Sequence, residues 1–143
     1  MAYSNYDATT TNQSKRSNRI YSDLNLSFTK NPATKDVARI FDVQAIKRSV
    51  KNIILTNKYE RPFNSDFGCN LRGFLFENMT EPLMVLIKDR VAMAIEKYEP
   101  RVSVEDVIVR EDEDNNGIDI MVSFLVNGVE QPISVSTFLQ RVR

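Results

Sequence analysis

The chain has 143 residues and, with 19 basic and 19 acidic side chains, no formal net charge. Its hydrophobic content of 42% suits the core of one domain, and no apolar run approaches the roughly 20 residues that span a bilayer. It contains no histidine and one cysteine, Cys69. These counts exclude an internal disulfide and remove the commonest general base and transition-metal ligand.

Charge is unevenly distributed along the chain. Lys15 to Arg61 holds 11 basic and 4 acidic side chains, a balance of +7, whereas Asp66 to Glu130 holds 6 basic and 14 acidic side chains, a balance of −8. Such asymmetry informs about partners more than about fold. Two interpretations are open: two solvated faces of opposite sign, or head-to-tail or layered assembly with charged neighbours.

The first residues, Met1 to Asn18, are polar and lack the apolar stretch of a signal peptide. We expect this tail to be disordered when alone, and the protein to be made in a cytoplasm. Residues 19–143 are predicted to form a single domain. Loose alternation predicts an extended segment from Ile20 to Phe28, followed by a turn at Asn31-Pro32.

Two helices are predicted. The first runs from Val43 to about Asn57 with Asp42 as N-cap, because Ile46, Val50, Ile53 and Ile54 recur at helical spacing. The second runs from Glu81 to Tyr98, with Thr80 as N-cap and Pro82 in the first turn, and Pro100 ends it. Its predicted buried stripe comprises Leu83, Leu86, Ile87, Val91, Ala94, Ile95 and Tyr98. Between the helices, Arg61 to Asn70 is predicted to be a loop and Leu71 to Phe76 a helical turn.

The remainder is predicted to be β structure. Val102 to Arg110 alternates with a bulge at Glu105-Asp106, Ile118 to Val126 has period-two alternation, and Ile133 to Leu139 gives a third strand. A polar turn from Glu111 to Gly117 joins the first two strands, and Asn127-Gly128 predicts a type I′ turn. Because Pro132 cannot donate to a ladder, the third strand is predicted to lie at an edge. The fold class is therefore α+β, with helices packed on one face of a three-stranded antiparallel β meander.

One motif resembles a metal site. Asp112, Asp114, Asn116 and Gly117 match the opening of an EF-hand loop, but Ser123 stands at the twelfth position, where a bidentate glutamate is needed. The flanking segments are predicted to be strands. We therefore interpret the motif as a hairpin turn and expect no bound metal.

Catalytic chemistry has few candidate residues. Glycoside hydrolysis needs two suitably spaced carboxylates, and Asp66, Glu77, Glu81 and Glu99 are the candidates. With 19 acidic residues, coincidental pairs are expected. Cys69 has no histidine to activate it and is predicted to be a small buried hydrophobe. We expect no catalytic residue and no cofactor, and the acidic second half argues against nucleic-acid binding.

Glu99-Pro100-Arg101 follows the second predicted helix. Either it is a helix stop with a solvated arginine, or it is a rigid turn that presents Glu99 and Arg101 in fixed geometry. Arginine forms bidentate, charge-assisted pairs with carboxylates, which gives the second interpretation its chemistry.

An ordered set of short motifs carries a family resemblance. They are Arg61-Pro62-Phe63, Phe67-Gly68-Cys69, Leu75-Phe76-Glu77-Asn78-Met79-Thr80 and Tyr98-Glu99-Pro100-Arg101, with Tyr21-Ser22-Asp23-Leu24 and Ile46-Lys47-Arg48-Ser49 upstream. In this order they resemble the small baseplate wedge proteins of T-even-like contractile phages. Relatives of that family serve in type VI secretion baseplates and other contractile injection systems. The resemblance extends from about Ile20 to the C-terminus.

The resemblance implies a structural protein of the virion, placed in the tail baseplate, and we expect it to be assembled in the host cytoplasm. We expect no enzymatic activity, because the sequence has no histidine and no identifiable carboxylate pair. It implies binding to the helical core bundle of other wedge proteins through Glu99, Pro100 and Arg101. It also implies that the sheet contacts the first ring of tail sheath subunits, for which we predict the edge strand with Ile133, Val135, Thr137 and Leu139. No small-molecule substrate, membrane or nucleic-acid partner is expected. The alternatives are a cell-wall-degrading, lysozyme-like tail enzyme and a nucleic-acid-binding accessory protein.

Overall fold

The computed structural model describes residues 21–129 and 131–141. Packing divides the chain into two compact units, Met1–Asp42 and Val43–Arg143. The predicted disordered tail, Met1 to Asn18, lies outside the described residues. The expectation that residues 19–143 form one domain stays a prediction.

The first unit is built on a two-stranded antiparallel sheet. Strand β1, Ser22–Leu24, pairs with β2, Arg39–Phe41. β1 lies inside the predicted extended segment, and the turn at Asn31-Pro32 is confirmed between the two strands. The sequence did not predict β2, because three residues are too few to show alternation.

Helix α1 spans Asp42–Leu55, so it ends two residues before the predicted boundary. Its predicted stripe is confirmed. Ile46, Val50, Ile53 and Ile54 are each at most 1% exposed, because 3.6 residues per turn bring them onto one face. Asp42 opens the helix, and its carboxylate accepts a hydrogen bond from the Tyr21 N–H at 3.2 Å.

Helix α2 spans Glu81–Tyr98, as predicted, with Pro82 in its first turn. Thr80 occupies the predicted N-cap position, although its hydroxyl makes no capping hydrogen bond. One detail of the prediction is wrong. Leu86 is 49% exposed, because it lies at the border of the stripe formed by Leu83, Ile87, Val91 and Ile95. Within the described residues, no helix is both long and apolar enough to cross a membrane.

The second unit contains a three-stranded antiparallel sheet of β3, Val102–Asp112, β4, Gly117–Val126, and β5, Ile133–Gln140, in that order. The α+β meander and the edge position of β5 are thereby confirmed. The register shifts between Val104 and Asp106, so the predicted bulge is also confirmed. One sheet face is buried, and α2 packs against β3. A short 3-10 helix, Phe74–Phe76, lies within the predicted helical turn.

The two turns of the meander differ in outcome. The acidic connection between β3 and β4 is a hairpin turn, in which the Asp112 carboxylate accepts hydrogen bonds from the backbone and side-chain amides of Asn115 at 3.0 and 2.8 Å. The type I′ prediction at Asn127-Gly128 is wrong. Only Gly128 has a positive φ, +90°, and the Val129 N–H donates to the Val126 carbonyl at 2.9 Å, as in a type II turn.

Candidate functional site

The Glu99-Pro100-Arg101 motif forms an intramolecular ion pair at the junction of α2 and β3. Arg101 Nε lies 2.5 Å from Glu99 Oε1, and a terminal guanidinium nitrogen lies 2.7 Å from Oε2. Glu99 is only 3% exposed, and the Arg101 side chain is 24% exposed. The motif does follow the end of α2 at Tyr98, as a helix stop predicts, but Arg101 is not a solvated residue. The fixed-geometry interpretation describes the turn.

The environment of Glu99 favours its ionised form. Burial alone raises the pKa of this carboxyl, but hydrogen bonds from Arg101 and Ser49 and the charge of Arg101 outweigh burial. The pKa of Glu99 is consequently held below its ordinary value. Because Ser49 belongs to α1, the buried carboxylate joins α1 to the end of α2.

Backbone contacts hold the motif rigidly. The Glu99 N–H donates to the Ile95 carbonyl at 2.8 Å and completes the last turn of α2. Asn127 donates twice, from its backbone N–H to the Arg101 carbonyl at 3.0 Å and from its side chain to the Pro100 carbonyl at 3.3 Å. The turn after β4 therefore holds the motif in place through these hydrogen bonds, whereas Pro100 is exposed.

The residues predicted to contact the sheath lie on β5, which pairs with β4 alone. Three of the four point inward, since Val135, Thr137 and Leu139 are 9%, 3% and 7% exposed. Any contact along this edge must therefore use the β5 backbone or the outward side chains of Ser134, Ser136, Phe138 and Gln140. The assignment of this edge to the sheath stays a prediction.

Thr137 leaves a hydroxyl oxygen buried without a hydrogen-bond partner among the described residues. An unsatisfied buried hydroxyl lowers the free energy of unfolding by about 1–3 kcal/mol, whereas an apolar group of the same shape carries no such penalty. We expect Thr137→Val to stabilise the protein by about 1 kcal/mol, measured as a higher urea midpoint. Thr137→Ala is the matched control, which removes the hydroxyl but leaves a void. A lower midpoint for Thr137→Val would contradict an unpartnered hydroxyl.

The four carboxylates considered for hydrolysis differ in their environments. Asp66, Glu77 and Glu81 are exposed, and the pKa of Glu99 is shifted down, whereas a general acid needs a raised pKa. Cys69 is 1% exposed, and burial raises the pKa of its thiol to about 12, so it is a buried hydrophobe as predicted. Among residues 21–129 and 131–141, no three metal-binding side chains cluster.

Arg141 is a structural contact that the sequence did not reveal. Its guanidinium donates to the carbonyl of Leu75 and, at 3.2 Å, to that of Glu77. Its backbone N–H donates to the Asn116 carbonyl at 2.9 Å. Arg141, which follows β5, thus links the 3-10 helix and the acidic turn to the sheet through hydrogen bonds. No local pattern could have predicted it, because its partners lie at least 25 residues away.

Comparison with solved structures reveals the same fold in contractile assemblies. The chain matches a subunit of the anti-feeding prophage baseplate with a TM-score of 0.60 and 22% identity, over 86% of this chain and 87% of that one. It matches a chain of the postcontracted pyocin R2 baseplate with a TM-score of 0.60 and 19% identity, over 76% and 100%. A Geobacter sulfurreducens protein assigned provisionally as a tail lysozyme matches with a TM-score of 0.63 and 22% identity, over 70% and 91%.

Sequence comparison identifies the family. The chain is 40% identical over 85 residues to baseplate wedge protein gp25 of Enterobacteria phage T4, an alignment that covers 59% of this chain and 64% of the T4 protein. The aligned part thus spans just under two thirds of the T4 protein. A family model described as baseplate wedge protein gp25 matches residues 42–131, which is 90 of the 143 residues and includes α1, α2 and the Glu99-Pro100-Arg101 turn. The chain therefore belongs to the baseplate wedge protein gp25 family.

Proposed function

We propose that the protein is a structural component of a contractile phage tail baseplate, which joins the core of the wedge and starts assembly of the sheath. The family match over residues 42–131 is the observation that carries this proposal. Assembly takes place in the host cytoplasm, before the tail is complete. The fold shared with subunits of two other contractile baseplates supports the same function.

The wedge core is proposed to bind at the Glu99-Pro100-Arg101 turn. The buried ion pair and the two hydrogen bonds from Asn127 fix this turn before any partner arrives, so binding costs little conformational entropy. The motif presents the exposed Pro100 ring and the outer quarter of the Arg101 side chain to a partner.

Removing the gene from the phage tests the proposed function. We expect particles without complete baseplates and without ordered sheath in electron micrographs, and recovery of both when the gene is supplied from a plasmid. Normal tails in the absence of the protein would contradict a structural role.

The sheath is proposed to pair with the outer edge of β5 by strand addition, because this edge is exposed and β5 is eight residues long. Edge lysines oppose such pairing. We expect Ser136→Lys to leave the monomer folded and the baseplate complete, but to yield tubes without ordered sheath in electron micrographs. Ser103→Lys is the matched control, because it introduces a lysine at an exposed position of β3, the opposite edge strand of the sheet. It should leave the sheath ordered. Loss of sheath with Ser103→Lys alone would move the contact to β3.

A cell-wall hydrolase is the second candidate function, and the likeness to a protein provisionally assigned as a tail lysozyme is the observation behind it. At 22% identity this likeness concerns the fold alone. We expect purified protein to release no soluble fragments from peptidoglycan, with hen egg-white lysozyme as the positive control. Sustained release that Glu77→Gln or Glu81→Gln abolished, in a folded variant, would overturn the structural assignment.

A further inference from the structure

A cationic cleft opens beside the C-terminal half of α2. It encloses about 360 Å³, and its charged lining comprises Lys58, Arg90 and Lys97 with the single carboxylate of Asp66. Its apolar lining includes Met93, which is 63% exposed, and Tyr98, whose ring packs against Phe67 at 4.8 Å between centroids. The cleft thus combines three cations, one anion and an apolar wall.

The three cations of the cleft have no carboxylate within ion-pair distance in the described part of the chain. Arg90 lies over the Phe74 ring at 5.2 Å and Lys97 over the Tyr98 ring at 5.0 Å. These contacts orient the side chains without neutralising their charge. The cleft therefore has a net positive charge and suits an acidic, partly apolar occupant.

The same chain carries an acidic segment of matching charge. Four acidic residues are consecutive: Glu111 and Asp112 end β3, and Glu113 and Asp114 follow in the connection to β4. Asn115 fixes the turn through Asp112 and lowers the pKa of that carboxyl by its hydrogen bonds, while Glu111, Glu113 and Asp114 are exposed. The hairpin thus presents three exposed carboxylates beside a hydrogen-bonded turn.

In one copy, β3 separates the acidic turn from the cleft residues that precede this strand. β3 runs from Val102, four residues after the cleft residue Tyr98, to Asp112 at the turn. At about 3.3 Å per residue, this strand separates its two ends by roughly 30 Å, several times the length of a side chain. Lys97 and Tyr98 of the cleft thus lie near the start of β3, whereas the acidic turn lies at its other end.

We propose that the acidic turn of one copy, residues 111–114, docks in the cationic cleft of a second copy, so that successive copies associate head to tail. The two surfaces differ, so the contact is heterologous and leaves one cleft and one turn free at the ends of each oligomer. Since only a few partly exposed charges meet, we expect a dissociation constant of about 0.1–1 mM between free copies. Binding of both copies to a shared scaffold raises their local concentration and so strengthens the association. This contact uses residues other than those proposed for the wedge core and the sheath, although Tyr98 adjoins the Glu99-Pro100-Arg101 turn.

Charge reversal tests the contact by sedimentation velocity. We expect the wild type at low salt to associate as its concentration rises toward about 1 mM, and to become monomeric in about 1 M NaCl, where the Debye length is near 3 Å. Arg90→Glu with Lys97→Glu, and separately Glu111→Lys with Glu113→Lys, should each raise the dissociation constant at least about tenfold. Circular dichroism confirms that each variant is folded.

Mixing the cleft-reversed variant with the turn-reversed variant is the decisive experiment. An intact turn on one variant meets an intact cleft on the other, so the mixture should associate although neither variant does so alone. A wild type that stays monomeric at low salt, or a cleft-reversed variant that associates like the wild type, would overturn the proposal. Binding of a synthetic acidic helix to a monomeric wild type would assign the cleft to another protein instead. None of these outcomes decides whether the protein is incorporated into tails. Incorporation is measured separately in particles and tests the proposed function.

Discussion

Arg101→Ala is expected to lower the free energy of unfolding by about 3 kcal/mol, because it leaves the Glu99 carboxylate buried without its cation. Breaking a buried ion pair by removing one partner costs about 3–5 kcal/mol. The Arg101 side chain is 24% exposed, so the lower end of this range applies. Urea unfolding of purified protein measures the change.

Two variants control for this result. Arg110→Ala removes an exposed arginine from β3 and should change stability by no more than about 0.5 kcal/mol. Glu99→Gln combined with Arg101→Ala removes the uncompensated charge and should recover part of the loss. An Arg101→Ala protein as stable as the wild type would contradict the buried pair. If Arg101→Ala also fails to join the wedge, this failure shows an interface effect only when the particles are grown under conditions in which the variant is folded.

The same ion pair predicts a pH dependence. The folded pKa of Glu99 lies below its ordinary value of 4.5, so the unfolded chain binds the proton more readily. The contribution of Glu99 is therefore present above about pH 4.5 and is lost as pH falls through the folded pKa. The stability difference between the wild type and Arg101→Ala should shrink as the pH is lowered below about 4.5. A difference that grew on acidification would have the wrong sign.

Gly68→Ala is expected to lower the free energy of unfolding by about 4 kcal/mol. Gly68 has a φ of +103°, and an added Cβ would lie 2.2 Å from the Thr56 carbonyl oxygen and 2.8 Å from the carbonyl carbon. That oxygen accepts the Cys69 N–H at 3.1 Å, so the backbone cannot move away without losing a buried hydrogen bond. The left-handed conformation costs about 1–2 kcal/mol and overpacking about 1–3 kcal/mol.

Gly128→Ala is the matched control for this clash. Gly128 also has a positive φ, +90°, but nothing lies within 4 Å of its added Cβ. It should therefore cost only the conformational part, about 1–2 kcal/mol. Urea unfolding of both variants separates strain from overpacking. Equal losses in the two proteins would show that the Thr56 backbone accommodates a methyl group.

Elements with strong periodicity could be predicted from the sequence. The stripe of α1 and the alternation of β4 each follow from spacing that only one secondary structure satisfies. The bounds of α2 follow from Pro82 in its first turn and Pro100 after its end. The bulge could be predicted because Glu105-Asp106 interrupts the valines on the inner face of β3. At Thr80 the backbone has the predicted N-cap position, but the hydroxyl makes no capping hydrogen bond. At Asn127, residue preference predicted a turn type that the backbone does not adopt.

The functional geometry depended on contacts between distant residues. The sequence identified Glu99 and Arg101 as a candidate pair, but the burial of Glu99 and its link to Ser49 arise from the packing of α1 beside the end of α2. The inward direction of Thr137 and Leu139 follows from the register of β5 on β4. The cationic cleft brings Lys58 to a helix that begins more than 20 residues later, and no local pattern indicates such proximity.

Locating the chain in purified tails by cryo-electron microscopy tests the central claim most directly. We expect density for α1, α2 and the β3–β5 sheet inside the baseplate, with the Pro100-Arg101 surface against a neighbouring wedge chain and the β5 edge facing the first sheath ring. Complete baseplates without density for this fold would contradict the assignment.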